Sequence, residues 1–124
     1  MKNKIIDVKG LTKKYGNKGS LALDNIDLKI ERGKIFGLLG PNGAGKSSFI
    51  NILSGLSNKT SGKVLVCGID LDKDPKTIRG NIGVVPQEIN IDPFFTPLEI
   101  MNIQSGMYGV KKKQNKNLEI LKNL

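Results

Sequence analysis

The stretch from Gly40 to Ser48, GPNGAGKSS, constrains this chain more than any other part of the sequence. It matches the pattern G-x-x-x-x-G-K-[ST], with Gly40, Gly45, Lys46 and Ser47 at the required spacing. Phosphate oxygens must approach several backbone N–H groups at once, so such a loop needs positions that lack a Cβ and accept positive φ. Three glycines of the stretch meet this need. The pattern therefore predicts a loop that holds a polyphosphate.

The side chains after the last glycine of this loop suit the same ligand. A helix that begins near Gly45 directs its unpaired N–H groups and its positive dipole end at the anion. Lys46 adds a mobile positive charge for the β and γ phosphates, and Ser47 offers a hydroxyl to Mg²⁺. Ser48 can reach the α phosphate. The pattern thus predicts a site for a nucleotide with its magnesium ion.

The sequence around the loop bears on a plainer interpretation, that of a tight turn from strand to helix without a ligand. The run KIFGLL over residues 34–39 is typical of a parallel strand buried on both faces. After the loop, apolar residues recur at helical spacing, and Gly55 can help to end that helix. These residues are Phe49, Ile50, Ile52, Leu53 and Leu56. Strand, loop and helix in this order favour phosphate binding.

The composition limits the other functions that the chain can have. Its 124 residues suffice for one domain, and its net charge is +9. The lysines are scattered apart from Lys111 to Lys113, so we expect a solvated surface and no direct contact with nucleic acid. The chain contains no histidine. The single cysteine, Cys67, lies in an apolar strand pattern over residues 63–67, which predicts a buried structural thiol.

Further secondary structure is predicted on both sides of the loop. Residues 1–33 indicate β structure, because residues 26–30 alternate between apolar and polar as in an antiparallel strand with one wet face. Helices are predicted from Pro75 to Gly80, with Asp74 as the N-cap, and from Pro97 to Met107, with a capping box formed by Thr96 and Glu99. The remaining expectations are loops over residues 16–20 and 90–95, a turn over residues 58–62, an acidic loop over residues 70–74, a short buried strand over residues 82–85 and a last helical face from Leu118.

Four segments in order, LTKKYG, GLLGPNGAGKSS, TSGKVLVCGID and IRGNIGVVPQE, resemble the first half of an ATP-binding-cassette ATPase, the motor subunit of ABC transporters. The resemblance covers essentially the whole chain. It implies an α/β P-loop NTPase fold of the ABC ATPase type, with an antiparallel β subdomain at the amino terminus. The ATP-binding core is expected over residues 1–95 and the start of a helical subdomain over residues 96–124.

The resemblance also assigns roles to individual residues. Tyr15 is expected to stack on adenine, and the residues that wrap the phosphates of MgATP are Asn42, Gly43, Ala44, Gly45, Lys46, Ser47 and Ser48. Gln87 occupies the glutamine loop, where it is expected to reach Mg²⁺ and the attacking water. Lys46 and Gln87 are therefore the expected catalytic residues, and Ser47 and Gln87 the expected metal ligands.

Parts of the ABC ATPase pattern are missing from this chain. The family uses an apolar strand that ends in adjacent Asp and Glu, a signature helix of the LSGGQ type and a later histidine, and these come after the glutamine loop. Asp70 follows an apolar strand, but no Glu follows it, so we interpret it as a turn residue. The last helical face is incomplete at Leu124, so we expect the amino-terminal portion of a longer protein. Hydrolysis by these residues alone should be negligible.

The resemblance implies an ATPase subunit that powers transport, with a segment after the glutamine loop similar to those of exporters. The expected partners are a transmembrane permease and a second cassette. No apolar stretch has the length of a signal peptide or membrane span, so we expect a cytoplasmic protein held at the inner face of the membrane by its permease. Two alternatives stay open: a soluble ABC ATPase that acts in translation or DNA repair, and a nucleotide-binding remnant that does not hydrolyse ATP.

Overall fold

A computed structural model describes residues 3–16, 19–88 and 92–124 of the chain. They form two compact units, Met1–Val84 and Val85–Leu124, and the division falls before the domain boundary expected between residues 95 and 96. That expected boundary stays a prediction. Within the described residues, no helix is long and apolar enough to cross a bilayer. The predicted loops over residues 16–20 and 90–95 lie partly outside the described residues.

The first unit is built on a four-stranded antiparallel sheet in the order β2-β1-β3-β4. Its elements in chain order are β1 (Lys4–Lys14), β2 (Leu21–Glu31), α1 (Lys46–Leu53), β3 (Ser61–Val66), β4 (Ile69–Asp70) and α2 (Pro75–Gly80). The antiparallel β structure predicted for residues 1–33 is therefore confirmed over β1 and β2. The apolar and polar residues that alternate in β2 lie on opposite faces of the strand, as predicted, because Leu28 and Ile30 are partly buried while Asp27 and Lys29 are exposed.

The core of the first unit lies where the sheet meets α1 and α2. Helix α1 contributes three buried residues at helical spacing, as its apolar pattern predicts, and α2 contributes Ile78. The complete cluster comprises Val8, Leu11, Leu23, Phe49, Ile52, Leu53, Val64, Val66 and Ile78. Leu23 of β2 belongs to this cluster and lies beside Gly45 of the stretch Gly40 to Ser48, which we call the phosphate loop. The end of β2 beside the phosphate loop is therefore held by the core.

The prediction of a buried parallel strand over residues 34–39 is wrong. This segment is neither strand nor helix, and its apolar side chains face solvent: Ile35 is fully exposed and Leu39 is 93% exposed. An apolar run becomes a parallel strand only when neighbouring strands pair with its backbone and other elements cover its faces. Among the described residues, no strand pairs with this segment.

The prediction of a second buried strand over residues 82–85 is wrong for the same reason. Ile82 packs against the core of the first unit, but Val84 is 43% and Val85 93% exposed, and this segment pairs with no strand of the described residues. The apolar composition of both segments indicates a preference for the strand conformation. It did not specify a partner within the described residues.

Sequence signals at the helix ends are confirmed. Asp74 caps α2 by accepting a hydrogen bond from the Thr77 N–H at 3.1 Å. Hydrogen bonding to the Thr77 side chain and to its backbone N–H lowers the pKa of the Asp74 carboxyl. The predicted capping box opens α3 (Pro97–Met107), with Thr96 and Glu99 bonded to each other's backbone N–H groups. The second unit continues with a 3-10 helix, Lys112–Gln114, and α4 (Asn117–Lys122).

The turn between β3 and β4 corrects the expectation for Cys67. The strand ends at Val66, and Cys67 and Gly68 form a two-residue hairpin turn with φ values of 53° and 80°. Positive φ at both positions is the mark of a type I′ turn. Cys67 is therefore a partly buried thiol in a turn, and the prediction of a buried residue within a strand was wrong. Asp70, expected in a turn, is the last residue of β4.

We expect Gly68→Ala to destabilise the fold through the backbone alone. A Cβ at Gly68 would meet no atom within 4 Å, so the cost comes from φ of 80° and should be about 1–2 kcal/mol of unfolding free energy. The matched control is Gly80→Ala, which also adds a Cβ in open space but at a helical position without positive φ. Urea unfolding followed by circular dichroism measures both variants. Equal effects of the two substitutions would contradict this account of the turn.

Candidate nucleotide-binding site

The phosphate loop leads directly into α1, as the sequence predicts. Helix α1 begins at Lys46, and its N-cap is Gly45, whose φ is 90°. No side chain caps this end, and the first turn contains no acidic residue. The N–H groups of the first helical turn have no partner within the helix, so they and the helix dipole create a site that favours an anion. The start of α1 is therefore arranged to favour an anion.

Gly45 is required by its surroundings as well as by its φ. A Cβ at this position would overlap the carbonyl oxygen of Ala22 and would lie 2.8 Å from Cδ2 of Leu23. Both neighbours belong to β2, and Leu23 is buried in the core. The end of the phosphate loop is thus packed against the sheet without space for any side chain. Gly43, in contrast, has φ of 84° and open space around its missing Cβ.

The Lys46 side chain folds back onto the loop that precedes it. Its Nζ atom donates hydrogen bonds to the carbonyl oxygens of Gly40 at 2.6 Å and Pro41 at 2.7 Å. Both acceptors are neutral, and Lys46 forms no ion pair with any carboxylate of residues 3–16, 19–88 and 92–124. The positive charge of Lys46 is therefore held beside the N-terminus of α1 without being neutralised. A phosphate oxygen can take over these hydrogen bonds as a charged acceptor.

The two serines after Lys46 differ in their surroundings. The Ser47 side chain is exposed, whereas Ser48 is partly buried and its Oγ lies 3.1 Å from the Tyr15 hydroxyl. In the described part of the chain, Ser47 has no hydrogen-bond partner for its hydroxyl. A hydroxyl oxygen suits Mg²⁺, which commonly takes few protein ligands and completes its octahedron with phosphate oxygens and water. The described residues hold no cluster of three acidic, cysteine or histidine side chains that would bind a metal without such help.

Tyr15 lies beside the first turn of α1, although it is far from this turn in sequence. It follows the last residue of β1, and its side chain is 49% exposed. The Ser48 hydroxyl is the main cause of a lowered pKa of Tyr15, and Ser57 and the charge of Lys13 act in the same direction. A half-exposed ring that is fixed through its hydroxyl leaves a face free for stacking on a planar group. The structure thus brings Tyr15 and the phosphate loop together, and its role toward adenine stays a prediction.

Lys13, which is not among the site residues expected from the sequence, lies beside the Tyr15 ring. Its Nζ lies 4.6 Å from the centre of the Tyr15 ring, within the range of a cation–π interaction. The signal was present in LTKKYG, because residues two apart at a strand end share one face. Lys13 also donates to the Asn58 carbonyl oxygen at 2.6 Å, which ties this end of β1 to the turn after α1.

The remaining expected site residues are Asn42, Ala44 and Gln87. Asn42 and Ala44 are exposed in the loop, where the Ala44 N–H donates to the Pro41 carbonyl oxygen at 3.2 Å. Gln87 belongs to the second unit and is exposed at a bend. Its expected contact with Mg²⁺ and water therefore stays a prediction.

We expect Gly45→Ala to destabilise the first unit more than Gly43→Ala does. Both substitutions place alanine at positive φ, at a cost of about 1–2 kcal/mol. Gly45→Ala should cost about 1–3 kcal/mol more, because its Cβ meets Ala22 and Leu23. Thermal unfolding of both variants measures the difference. Equal melting temperatures would show that the loop is not packed against β2 as described.

We expect Ser48→Ala to raise the pKa of Tyr15, because the hydrogen bond that stabilises the phenolate is lost. The chain contains two tyrosines, so the titration is done in a Tyr108→Phe background by the ultraviolet absorbance of the phenolate. Ser47→Ala is the matched control and should leave the pKa unchanged. An unchanged pKa in the Ser48→Ala variant would contradict the contact between Tyr15 and α1.

Comparison with known proteins identifies relatives for this arrangement. The sequence profile of the family described as ABC transporter matches residues 23–124. The Nod factor export ATP-binding protein I of Cupriavidus metallidurans is 37% identical over 110 residues, which cover 89% of this chain and 36% of that protein. The probable multidrug ABC transporter ATP-binding protein YbhF of Escherichia coli is 38% identical over 115 residues, covering 92% of this chain and 20% of that protein. The chain thus spans about a third or less of these relatives' length.

Solved structures agree with these sequence relatives. A dimeric post-hydrolysis state of the ATP-binding cassette MJ0796 with ADP and Pi superposes with a TM-score of 0.75 at 34% identity, covering 94% of this chain and 56% of that chain. An ATP-binding subunit of an ABC transporter gives a TM-score of 0.76 at 27% identity, with 88% and 45% covered. The fold expected from the sequence, an α/β P-loop NTPase of the ABC ATPase type, is confirmed. The chain belongs to the ABC transporter ATPase family.

Proposed function

We propose that this chain is the nucleotide-binding portion of an ABC transporter subunit, that it binds MgATP, and that the complete protein uses ATP hydrolysis to drive export. The observation that carries the proposal is the positive charge of Lys46, held beside the uncapped N-terminus of α1 on a loop fixed to β2. The names of the relatives support export, since they include Nod factor export and doxorubicin resistance ATP-binding proteins.

Different residues of the phosphate loop would bind different parts of MgATP. The residues from Asn42 to Ser48 would wrap the phosphates with their N–H groups, and Lys46 would exchange its two carbonyl acceptors for the β and γ phosphates. Ser47 would hold Mg²⁺, which supplies charge neutralisation of the phosphates. Ser48 would remain bonded to Tyr15 or reach the α phosphate, and Tyr15 would stack on adenine.

Hydrolysis would need groups beyond those that this chain provides. Phosphoryl transfer depends on positioning and on stabilising negative charge, and a base or water-positioning residue must orient the nucleophile. Gln87 is our candidate for the contact with Mg²⁺ and the attacking water. The acidic base and the signature helix of the family have no counterpart in this sequence, and we propose that the complete cassette and a second cassette supply them.

The proposed partners are a transmembrane permease and a second ATP-binding cassette. One matched structure is a dimer of cassettes, and another is described as part of the transporter complex cbiONQ. We propose that the complete protein lies at the cytoplasmic face of the membrane, bound to its permease, and that nucleic acid is not among its partners.

We expect Lys46→Ala to weaken ATP binding at least tenfold, because the charge that would face the β and γ phosphates is lost. Binding is measured by the fluorescence of an ATP analogue labelled on the ribose. Lys34→Ala is the matched control, since Lys34 is also a lysine near the loop, is exposed and has no ion-pair partner among the described residues. Unchanged binding in the Lys46→Ala variant would overturn the assignment of the phosphate site.

A further inference from the structure

A second concentration of positive charge lies in the other compact unit. We name residues 107–116 the basic corner. It contains Lys111, Lys112, Lys113 and Lys116, all exposed, and no acidic residue. None of these lysines forms an ion pair within the part of the chain that the structure describes. The positive charge of the basic corner is therefore available to an external anion.

The end of α3 fixes one side of the basic corner. Gly109 has φ of 72°, the Val110 N–H donates to the Ser105 carbonyl oxygen at 2.9 Å, and the Gly109 N–H donates to the Gly106 carbonyl oxygen at 3.0 Å. This pair of bonds is a Schellman motif, which ends the helix in one defined direction. The lysines that follow are thus presented by an ordered turn.

A network of asparagines fixes the other side. The buried Asn117 donates from Nδ2 to Oδ1 of Asn102 at 2.9 Å, and Asn115 donates from Nδ2 to the same oxygen at 3.0 Å. Ser105 completes the network through hydrogen bonds with Asn117. Both ends of the basic corner are therefore tied to α3, and binding of its lysines would not require the segment to fold first.

Apolar side chains accompany these lysines. Met107 is 76%, Tyr108 56% and Val110 39% exposed, and each precedes the lysines by only a few residues. Lysine side chains can keep their charge in water while their methylene stems lie on an apolar phase. The basic corner thus combines exposed aliphatic side chains, one tyrosine and four lysines, a composition that suits a bilayer interface with anionic lipids.

We propose that the basic corner binds the surface of an anionic lipid bilayer. Nucleic acid is the less favoured ligand, because the basic corner contains no arginine and a single aromatic side chain, whereas nucleic-acid sites rely on arginine and on stacking. The contact goes beyond the proposed nucleotide site and does not depend on it. It would hold this face of the chain at the membrane in addition to any contact with a permease.

Because the chain contains no tryptophan, a single Met107→Trp substitution provides a reporter within the basic corner. The full chain with this substitution is mixed with vesicles of phosphatidylcholine alone, or of phosphatidylcholine and phosphatidylglycerol. We expect a blue shift of the tryptophan emission with the anionic vesicles only, and its reversal by high salt. An unchanged emission spectrum with anionic vesicles would overturn the proposal.

Vesicle sedimentation separates the local charge from the overall charge. The triple variant Lys111→Gln, Lys112→Gln, Lys113→Gln should bind anionic vesicles about a hundredfold more weakly, since each lysine contributes roughly fivefold. The matched control, Lys29→Gln, Lys34→Gln, Lys73→Gln, removes as many exposed charges from the other compact unit and should retain most of the binding. Equal losses in the two triple variants would overturn the proposal in favour of a nonspecific effect of net charge.

Two further measurements complete the test. The parent chain and both triple variants should bind a single-stranded RNA oligomer only weakly. If the parent chain instead binds RNA more tightly than anionic vesicles, and only the first triple variant loses this affinity, the ligand of the basic corner is nucleic acid and the proposal is overturned. Binding of labelled ATP should be the same in both variants and in the parent chain. The proposal of membrane binding can therefore be overturned while the proposed nucleotide site is retained, and the reverse also holds.

Discussion

The contact between Gly45 and β2 is the constraint on which the candidate site depends. The backbone of the phosphate loop turns into α1 at a φ that disfavours every residue except glycine, and it does so directly against the Ala22 carbonyl oxygen and the buried Leu23 side chain. The N-terminus of α1 is thereby fixed to the core of the first unit. The uncapped N–H groups, the Lys46 ammonium and the Ser47 hydroxyl all take their positions from this one junction.

Charge at this junction explains why an anion is the expected ligand. Lys46 is bonded to two neutral carbonyl groups, and no carboxylate of the described residues forms an ion pair with it. A phosphate can therefore replace weak acceptors without first displacing an acidic side chain. Tyr15 extends the same site along the surface, because its hydroxyl meets Ser48 in the first turn of α1 while half of the side chain remains exposed.

Local signals in the sequence predicted much of this structure, and signals that depend on distant partners did not. The glycine and lysine spacing of the loop, the Asp74 cap and the Thr96 capping box each act within a few residues, and each is found as predicted. The apolar run over residues 34–39 has an equally clear pattern, but a buried strand needs neighbours, and the described residues supply none. The contacts of Gly45 with β2 and of Lys13 with Tyr15 join residues that only the folded chain brings together or orients, so no motif search states them.

Nuclear magnetic resonance of the backbone amides tests the central claim, that phosphate binds where the loop meets α1. The chain is labelled with ¹⁵N and titrated with MgATP. We expect the largest shift changes at the amides from Gly43 to Ser48, with a smaller response at Tyr15. Strong changes confined to the basic corner, with those loop amides unaffected, would show that ATP binds only as a counterion to surface lysines and would contradict the account.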